Sequence, residues 1–251
     1  MRKLSTTVAT LLAALLLAAS SAPAAELRLL ASNGVKAAVE ALKSQLEQAT
    51  GSTLSIEFST AATLRERIEK GEAFDVAILT DDAMEALVKV GKVSPTLTKL
   101  ARVGIGVGYR QGSARPDVRT AAAMKQSLLN AKAIAYTGNG ASRPAIDTMI
   151  ERLGIAKEMR AKSHLTAAGS APASVGKGES DLVLTLISEI LPEPGVELAG
   201  PLPADFQAYL GFSAATSPKA AGDARAAKTI AVLHGSAAAA TYKAKGMEVT
   251  R

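Results

Sequence analysis

Residues 63–76 read Thr-Leu-Arg-Glu-Arg-Ile-Glu-Lys-Gly-Glu-Ala-Phe-Asp-Val, and the apolar run continues through Ala77, Ile78 and Leu79. Leu64 and Ile68 share one face of a helix, and Gly71 supplies its stop. Phe74 to Leu79 is apolar but for Asp75, the pattern of a strand buried on both faces. A helix feeding such a strand through a short turn is the repeating unit of a parallel sheet with helices on both sides.

The same unit recurs outward from this stretch. Upstream, Leu27, Leu29, Leu30 and Ala31 form a short strand. Ser32 or Asn33 can cap the helix that follows, where Val35, Ala38, Val39, Leu42, Leu46 and Ala49 recur at helical spacing before Gly51. Leu54, Ile56 and Phe58 alternate as a strand. Downstream, Asp81 is placed to cap a helix that reaches Val90 and stops at Gly91. Three such units predict a parallel sheet with right-handed crossovers.

After Pro95 the pattern restarts. Arg102 to Tyr109 reads as a Gly-rich strand, Ala121 to Leu129 as a helix, Ala133 to Tyr136 as a strand and Pro144 to Leu153 as a helix ended by Gly154. A helix near Ala171 to Val175 precedes a buried-type strand, Asp181 to Ile187. Leu191 to Pro203 holds four prolines and reads as a connection. Ala208 to Ala214 reads as a return strand, and Ala220 to Leu233 and Ala237 to Lys243 as helices.

Composition narrows the function classes. The chain has 251 residues, 48% apolar, and its 21% charged residues are of both signs, so a packed fold is expected. No Cys is present, which excludes disulfides, thiolate metal sites and Cys nucleophiles. Arg2 and Lys3 account for part of the net charge of +6, and only 4 Phe and 4 Tyr could stack on bases, so nucleic acid is not an expected partner. Those two basic residues, the apolar run Val8 to Ala19 and Ala22-Pro23-Ala24 have the form of an export signal cut after Ala24. The run is shorter than a bilayer span requires, so a membrane anchor is not expected and the mature chain is placed in the periplasm.

No catalytic motif is found. Gly104-x-Gly106-x-Gly108 has the wrong spacing for a dinucleotide loop and lies inside a strand pattern. Gly176-Lys177-Gly178 lacks the flanks of a phosphate loop. His164 and His234 have no carboxylate or second His at ligand spacing, and no Gly-x-Ser-x-Gly elbow occurs. No metal or cofactor is expected.

What remains is four polar turns, each at a strand end before a helix: Ala31 to Gly34, Ser59 to Thr63, Gly138 to Ser142 and Ala167 to Ser170. Ligands of open parallel sheets bind at the carboxyl ends of strands, and helix N-termini there offer N–H donors suited to an anion.

Together, these features resemble the periplasmic solute-binding proteins of ABC importers, in the molybdate-binding-protein-like branch. The likeness is carried by Leu29-Leu30-Ala31-Ser32, by the stretch Ile68 to Val76, by Gly138 to Ser142, by Gly178-Glu179-Ser180-Asp181 and by Gly200-Pro201-Leu202-Pro203. It implies a type II, two-lobe α/β fold, each lobe a mainly parallel sheet flanked by helices, with a hinge of two crossing strands. Lobe one would comprise residues 25–105 and 207–251, and lobe two residues 106–206. The resemblance further implies a non-catalytic monomer that passes a small anion to an inner-membrane ABC permease.

The family's first serine position reads Gly34 here, preceded by Ser32 and Asn33, and its second reads Ala61, flanked by Thr60. The backbone-donor turns fall at Ala141, beside Ser142, and at Ala168. The tyrosine position reads Leu186. With these contacts changed, an organic acid is favoured over a molybdate-like oxyanion, and Arg143 is a candidate for pairing with its carboxylate. An enzyme acting on a small anion, or a sensor lobe, is the alternative. The enzyme would require a perturbed acid or base in the cleft.

Overall fold

A computed structural model describes residues 26–250, so the expected leader over residues 1–24 lies outside them. Strand β1 (Glu26–Ser32) lies between β2 (Thr53–Ser59) and β3 (Val76–Thr80), parallel to both. Helices α1 (Lys36–Thr50), α2 (Ala61–Glu69) and α3 (Asp81–Lys89) connect and flank them. Both faces of the sheet are covered: Val76 and Ile78 join one core cluster, while Ala77 and Leu79 join another with Leu64 and Ile68.

The quoted motif is architectural. Glu72 accepts bonds from Arg67 Nε and Arg28 Nη2, each at 2.5 Å, and Arg67 also reaches Glu57 at 2.5 Å. The Asp75 carboxylate accepts the Arg28 N–H at 2.7 Å, and Asp75 N–H donates back to the Arg28 carbonyl at 2.8 Å. The tail of the motif thereby fixes where β3 joins β1. Asp81 differs from its expected capping role. It is the first residue of α3, Thr80 is the cap, and the Asp81 carboxylate instead meets Ser213 and, at 3.2 Å, Lys99.

Strand β4 (Thr98–Arg110) is longer than expected and crosses from one sheet to the next. Its first half pairs antiparallel with β9 (Tyr209–Thr216), which in turn borders β3. Its second half lies between β7 (Leu182–Leu186) and β8 (Val196–Pro201). Parallel to β7 run β5 (Ile134–Thr137) and then β6 (Ser163–Thr166). The chain returns across the junction through residues 202–208, where Leu202 N–H donates to the Ile105 carbonyl and Gln207 makes two bonds to Ile105 at 2.9 Å. The glycines in β4 answer crowding, not a cofactor: a Cβ at Gly106 would lie 2.8 Å from Ile187 and 2.9 Å from Leu198.

The second sheet carries α4 (Ala121–Asn130), α5 (Arg143–Arg152), α6 (Ala156–Lys162), α7 (Ala171–Gly176) and the single turn α8 (Ile187–Ile190). The C-terminal helices α9 (Ala224–His234) and α10 (Ser236–Ala244) pack back onto α1, and β10 (Glu248–Val249) edges β4. The stretch read as a connection, Leu191 to Pro203, contains β8. Of its prolines only Pro201 lies in the strand, as its last residue, and β8 is an edge strand, where a missing N–H is tolerated.

Candidate functional site

The four polar turns converge between the two sheets. Ser32 and Asn33 at the end of β1, Thr60 and Ala61 at the start of α2, Gly140 to Ser142 before α5, and Gly169 before α7 wall one small cavity. Thr137 from β5, Thr185 and Leu186 from β7, and Glu189 from α8 complete it. Each turn sits there because it follows the carboxyl end of a strand, where successive crossovers leave a crevice.

The wall is rich in donors. Ser32 is 4% exposed and Ser142 6%, yet neither hydroxyl has a hydrogen-bond partner among the described residues. The buried side-chain polar atom without a partner among the described residues is Thr166 Oγ1, so the two serine oxygens are not sealed off but open onto the cavity, where they can meet a ligand. Thr60 differs: its hydroxyl accepts the Thr63 N–H at 3.2 Å and donates to Thr63 Oγ1 at 2.9 Å. Its cap leaves the first-turn N–H groups of α2, at Ala61 and Ala62, without partners inside the helix.

Three expected contacts stand elsewhere. Gly34 lies behind the wall, where a Cβ would come within 2.5 Å of Phe212 and 2.7 Å of Leu186. Gly34 and Leu186, the two positions that the resemblance sets against a serine and a tyrosine, thus lie against each other. Arg143 pairs with Asp147, its Nε 2.7 Å from both carboxylate oxygens, and its guanidinium covers the Tyr136 ring at 4.7 Å. Ala168 lines an adjoining groove of about 440 Å³ with Lys36, Phe58 and Ser170.

Glu189 was absent from the expected site. It borders both the small cavity and the groove, and its carboxyl accepts the Thr185 hydroxyl. Burial pushes its pKa above the ordinary carboxylate range, opposed in part by that hydrogen bond. The segment it occupies follows a strand end like the other four turns, but α8 begins at Ile187 directly after β7 ends at Leu186, so no separate polar turn flags it.

Contacts between the sheets close the cavity. Ser188 Oγ donates to the Gly34 carbonyl at 2.7 Å in a buried setting, and Asn139 Nδ2 donates to Thr63 Oγ1 at 3.1 Å at the rim. The enclosed space is about 20 Å³, room for a water molecule. Among the described residues no group of three or more His, Cys, Asp or Glu could hold a metal ion. No helix among them is long and apolar enough to cross a membrane.

Two α/β sheets joined by a crossing strand, with a donor-lined cleft between them, define the architecture of the two-lobe solute-binding proteins. The chain belongs to the bacterial extracellular solute-binding protein family, whose model matches residues 27–248. A curated relative, an aconitate isomerase of Pseudomonas sp, is 28% identical over 218 residues, 83% of each chain. The periplasmic molybdate-binding protein of Azotobacter vinelandii superposes with a TM-score of 0.76 at 18% identity, covering 90% of this chain and 100% of that one. PEB3 of Campylobacter jejuni, solved with L-phospholactate bound, superposes with a TM-score of 0.64 at 18% identity, covering 88% and 99%.

Proposed function

We propose that this chain is a periplasmic receptor that captures a small organic anion between its two sheets and delivers it to an inner-membrane ABC permease. The observation that carries the reading is the pair Ser32 and Ser142, residues from opposite sheets whose hydroxyls open onto one cavity with no protein partner among the described residues. Ser32, Asn33, Thr60 and the Ala61 N–H would hold the anion from one side, and Ala141 and Ser142 from the other. The lobes would be residues 25–105 with 207–251 against residues 106–206, acting as a monomer. An organic anion is larger than 20 Å³, so entry requires the Ser188–Gly34 and Asn139–Thr63 bonds to part and the lobes to swing about β4.

A di- or tricarboxylate is favoured over molybdate for two reasons. Gly34 and Leu186 replace contacts of the molybdate pattern with packing, and the Pseudomonas relative's name points to a tricarboxylate. Calorimetric titration with molybdate, tungstate, sulfate, phosphate and a set of di- and tricarboxylates tests this. Saturable one-to-one binding of a carboxylate is expected; binding of the metal oxyanions alone would reverse the preference.

A second reading is favoured by Glu189. A carboxyl with raised pKa beside a donor-lined cavity is the acid or base that an isomerase would need, shuttling a proton between two carbons of an unsaturated acid while hydroxyls and N–H groups hold its carboxylates. Proton NMR of cis-aconitate incubated with the protein separates the two. Conversion to the trans isomer, abolished in Glu189→Gln, supports the enzyme; an unchanged spectrum supports the receptor.

A further inference from the structure

Glu189 is the one ionisable side chain in the cavity wall, which contains no lysine or arginine. Its carboxyl takes one hydrogen bond among the described residues, from Thr185, and enters no ion pair there. The charged groups that face it from the adjoining groove are Lys36 and Glu40 of α1, which stand 3.9 Å from each other, and Glu193 just beyond α8. The walls contributed by β1, β2, β5 and β7 bring hydroxyls, amides and small apolar groups but no charge. An anion held here by Ser32, Ser142 and the α2 N–H groups would lie beside Glu189 with no cation in the cavity wall to offset repulsion, since Lys36 stands in the groove next to Glu40. Ionised, Glu189 would oppose the ligand; protonated, it would add a donor.

Resting on the anion reading above, we propose that Glu189 is the specificity-determining proton carrier of the cleft. It binds the anion in its carboxylic acid form, the O–H donating to a ligand oxygen, so that one proton is taken up with each anion. The bond balance is simple, since no covalent bond in the ligand changes and the proton comes from solvent. Thr185 orients the carboxyl by occupying one oxygen and leaving the other for the ligand. Burial, which already disfavours the carboxylate, makes this proton uptake cheaper than it would be in water. The consequence is selection for anions with a free acceptor oxygen, and an affinity that falls about tenfold per pH unit above the carboxyl's pKa in the free protein.

The test is calorimetric titration of trans-aconitate, with molybdate as a second probe, into the exported protein between about pH 7 and about pH 9, where both probes are fully ionised. Repeating each titration in two buffers of different ionisation enthalpy gives the number of protons taken up. Uptake should climb toward one proton per anion as pH rises through the carboxyl's pKa in the free protein. Glu189→Gln, an isostere that keeps the Thr185 acceptor and carries a permanent N–H donor, should bind with no proton uptake and no pH slope, and more tightly than wild type at the upper pH. Binding with a heat independent of buffer, or a variant that keeps the wild-type slope, overturns the proposal while leaving the receptor reading intact. Failure of both anions to bind at any pH overturns the anion reading and this inference with it. The proton count in the wild-type protein needs no variant, so a folding defect in Glu189→Gln would not shelter the claim.

Discussion

Glu57 and Glu189 are two carboxyls whose pKa values are pushed in opposite directions. Glu57 lies at the edge of the first sheet, where the Arg67 hydrogen bond, above all, holds it below the ordinary carboxylate range. Around it Arg28, Arg67, Glu72 and Asp75 are each hydrogen-bonded to one another or to the backbone. In the cleft the relation inverts. Glu189 is raised by burial, no cation shares its cavity, and Ser32 and Ser142 beside it have no partners among the described residues. The most recognisable motif in the sequence builds the frame, whereas the working surface is marked by polar groups the frame leaves unsatisfied.

The comparison is sharpened first by breaking the frame. Asp75→Ala removes the charged acceptor of the Arg28 N–H and should cost about 1.5–3 kcal/mol. A fall in Tm of roughly 3–12 °C would register this, with anion affinity unchanged once the protein is folded. Gly34→Ser forces a side chain against Phe212 and Leu186 and should cost about 1–3 kcal/mol by overpacking, read by denaturant unfolding. A serine accepted there without loss would show that the two sheets sit less tightly than described.

In the cleft the expected pattern reverses. Ser32→Ala and Ser142→Ala should each leave stability within about 0.5 kcal/mol yet weaken anion binding by about 1 kcal/mol, roughly fivefold, in titration calorimetry. Stability loss without affinity loss would make these serines part of the frame.

The two carboxyls also set opposite pH dependences. Glu57 is depressed in the folded state, so its contribution is present above the unfolded pKa and lost as pH falls through the folded one. Glu189 is raised, so its contribution is complete below the unfolded pKa and lost as pH rises through the folded one. Glu57→Gln should therefore flatten the acid limb of a Tm-against-pH curve, and Glu189→Gln the limb above the ordinary carboxylate range, with a higher Tm than wild type there. The smallest effect belongs to Arg143→Ala. Engaged with Asp147 and Tyr136, this arginine should change anion affinity less than twofold, a loss of less than about 0.4 kcal/mol.

The strand–helix units of the first sheet were legible because their signals are local. Apolar spacing marked α1 and β3, and Gly51, Gly91 and Gly154 adopt the positive φ that stops a helix. The second sheet was less so. β8 was hidden by Pro192, Pro194 and Pro203 around it and Pro201 at its end, and α6 and β6 by short lengths and mixed polarity that long-range pairing overrides. The convergence of the four turns followed from the carboxyl-end rule for parallel sheets. Glu189 escaped it because β7 runs directly into α8 with no polar turn between them. Arg143 looked free although Asp147, four residues on, stood in the sequence as its partner.

The central claim is that hydroxyls from both sheets hold one anion between them. Thermal unfolding of the protein, beside its Ser32→Ala/Ser142→Ala double variant, tests it against the panel of carboxylates and oxyanions. An anion at 100 times its Kd should add about 2.7 kcal/mol, a rise of roughly 5–10 °C for a chain of this size, in the wild-type protein. At that same concentration the double variant should show a clearly smaller rise from an unchanged starting Tm. An equal rise in both proteins, or none in either, would contradict the account.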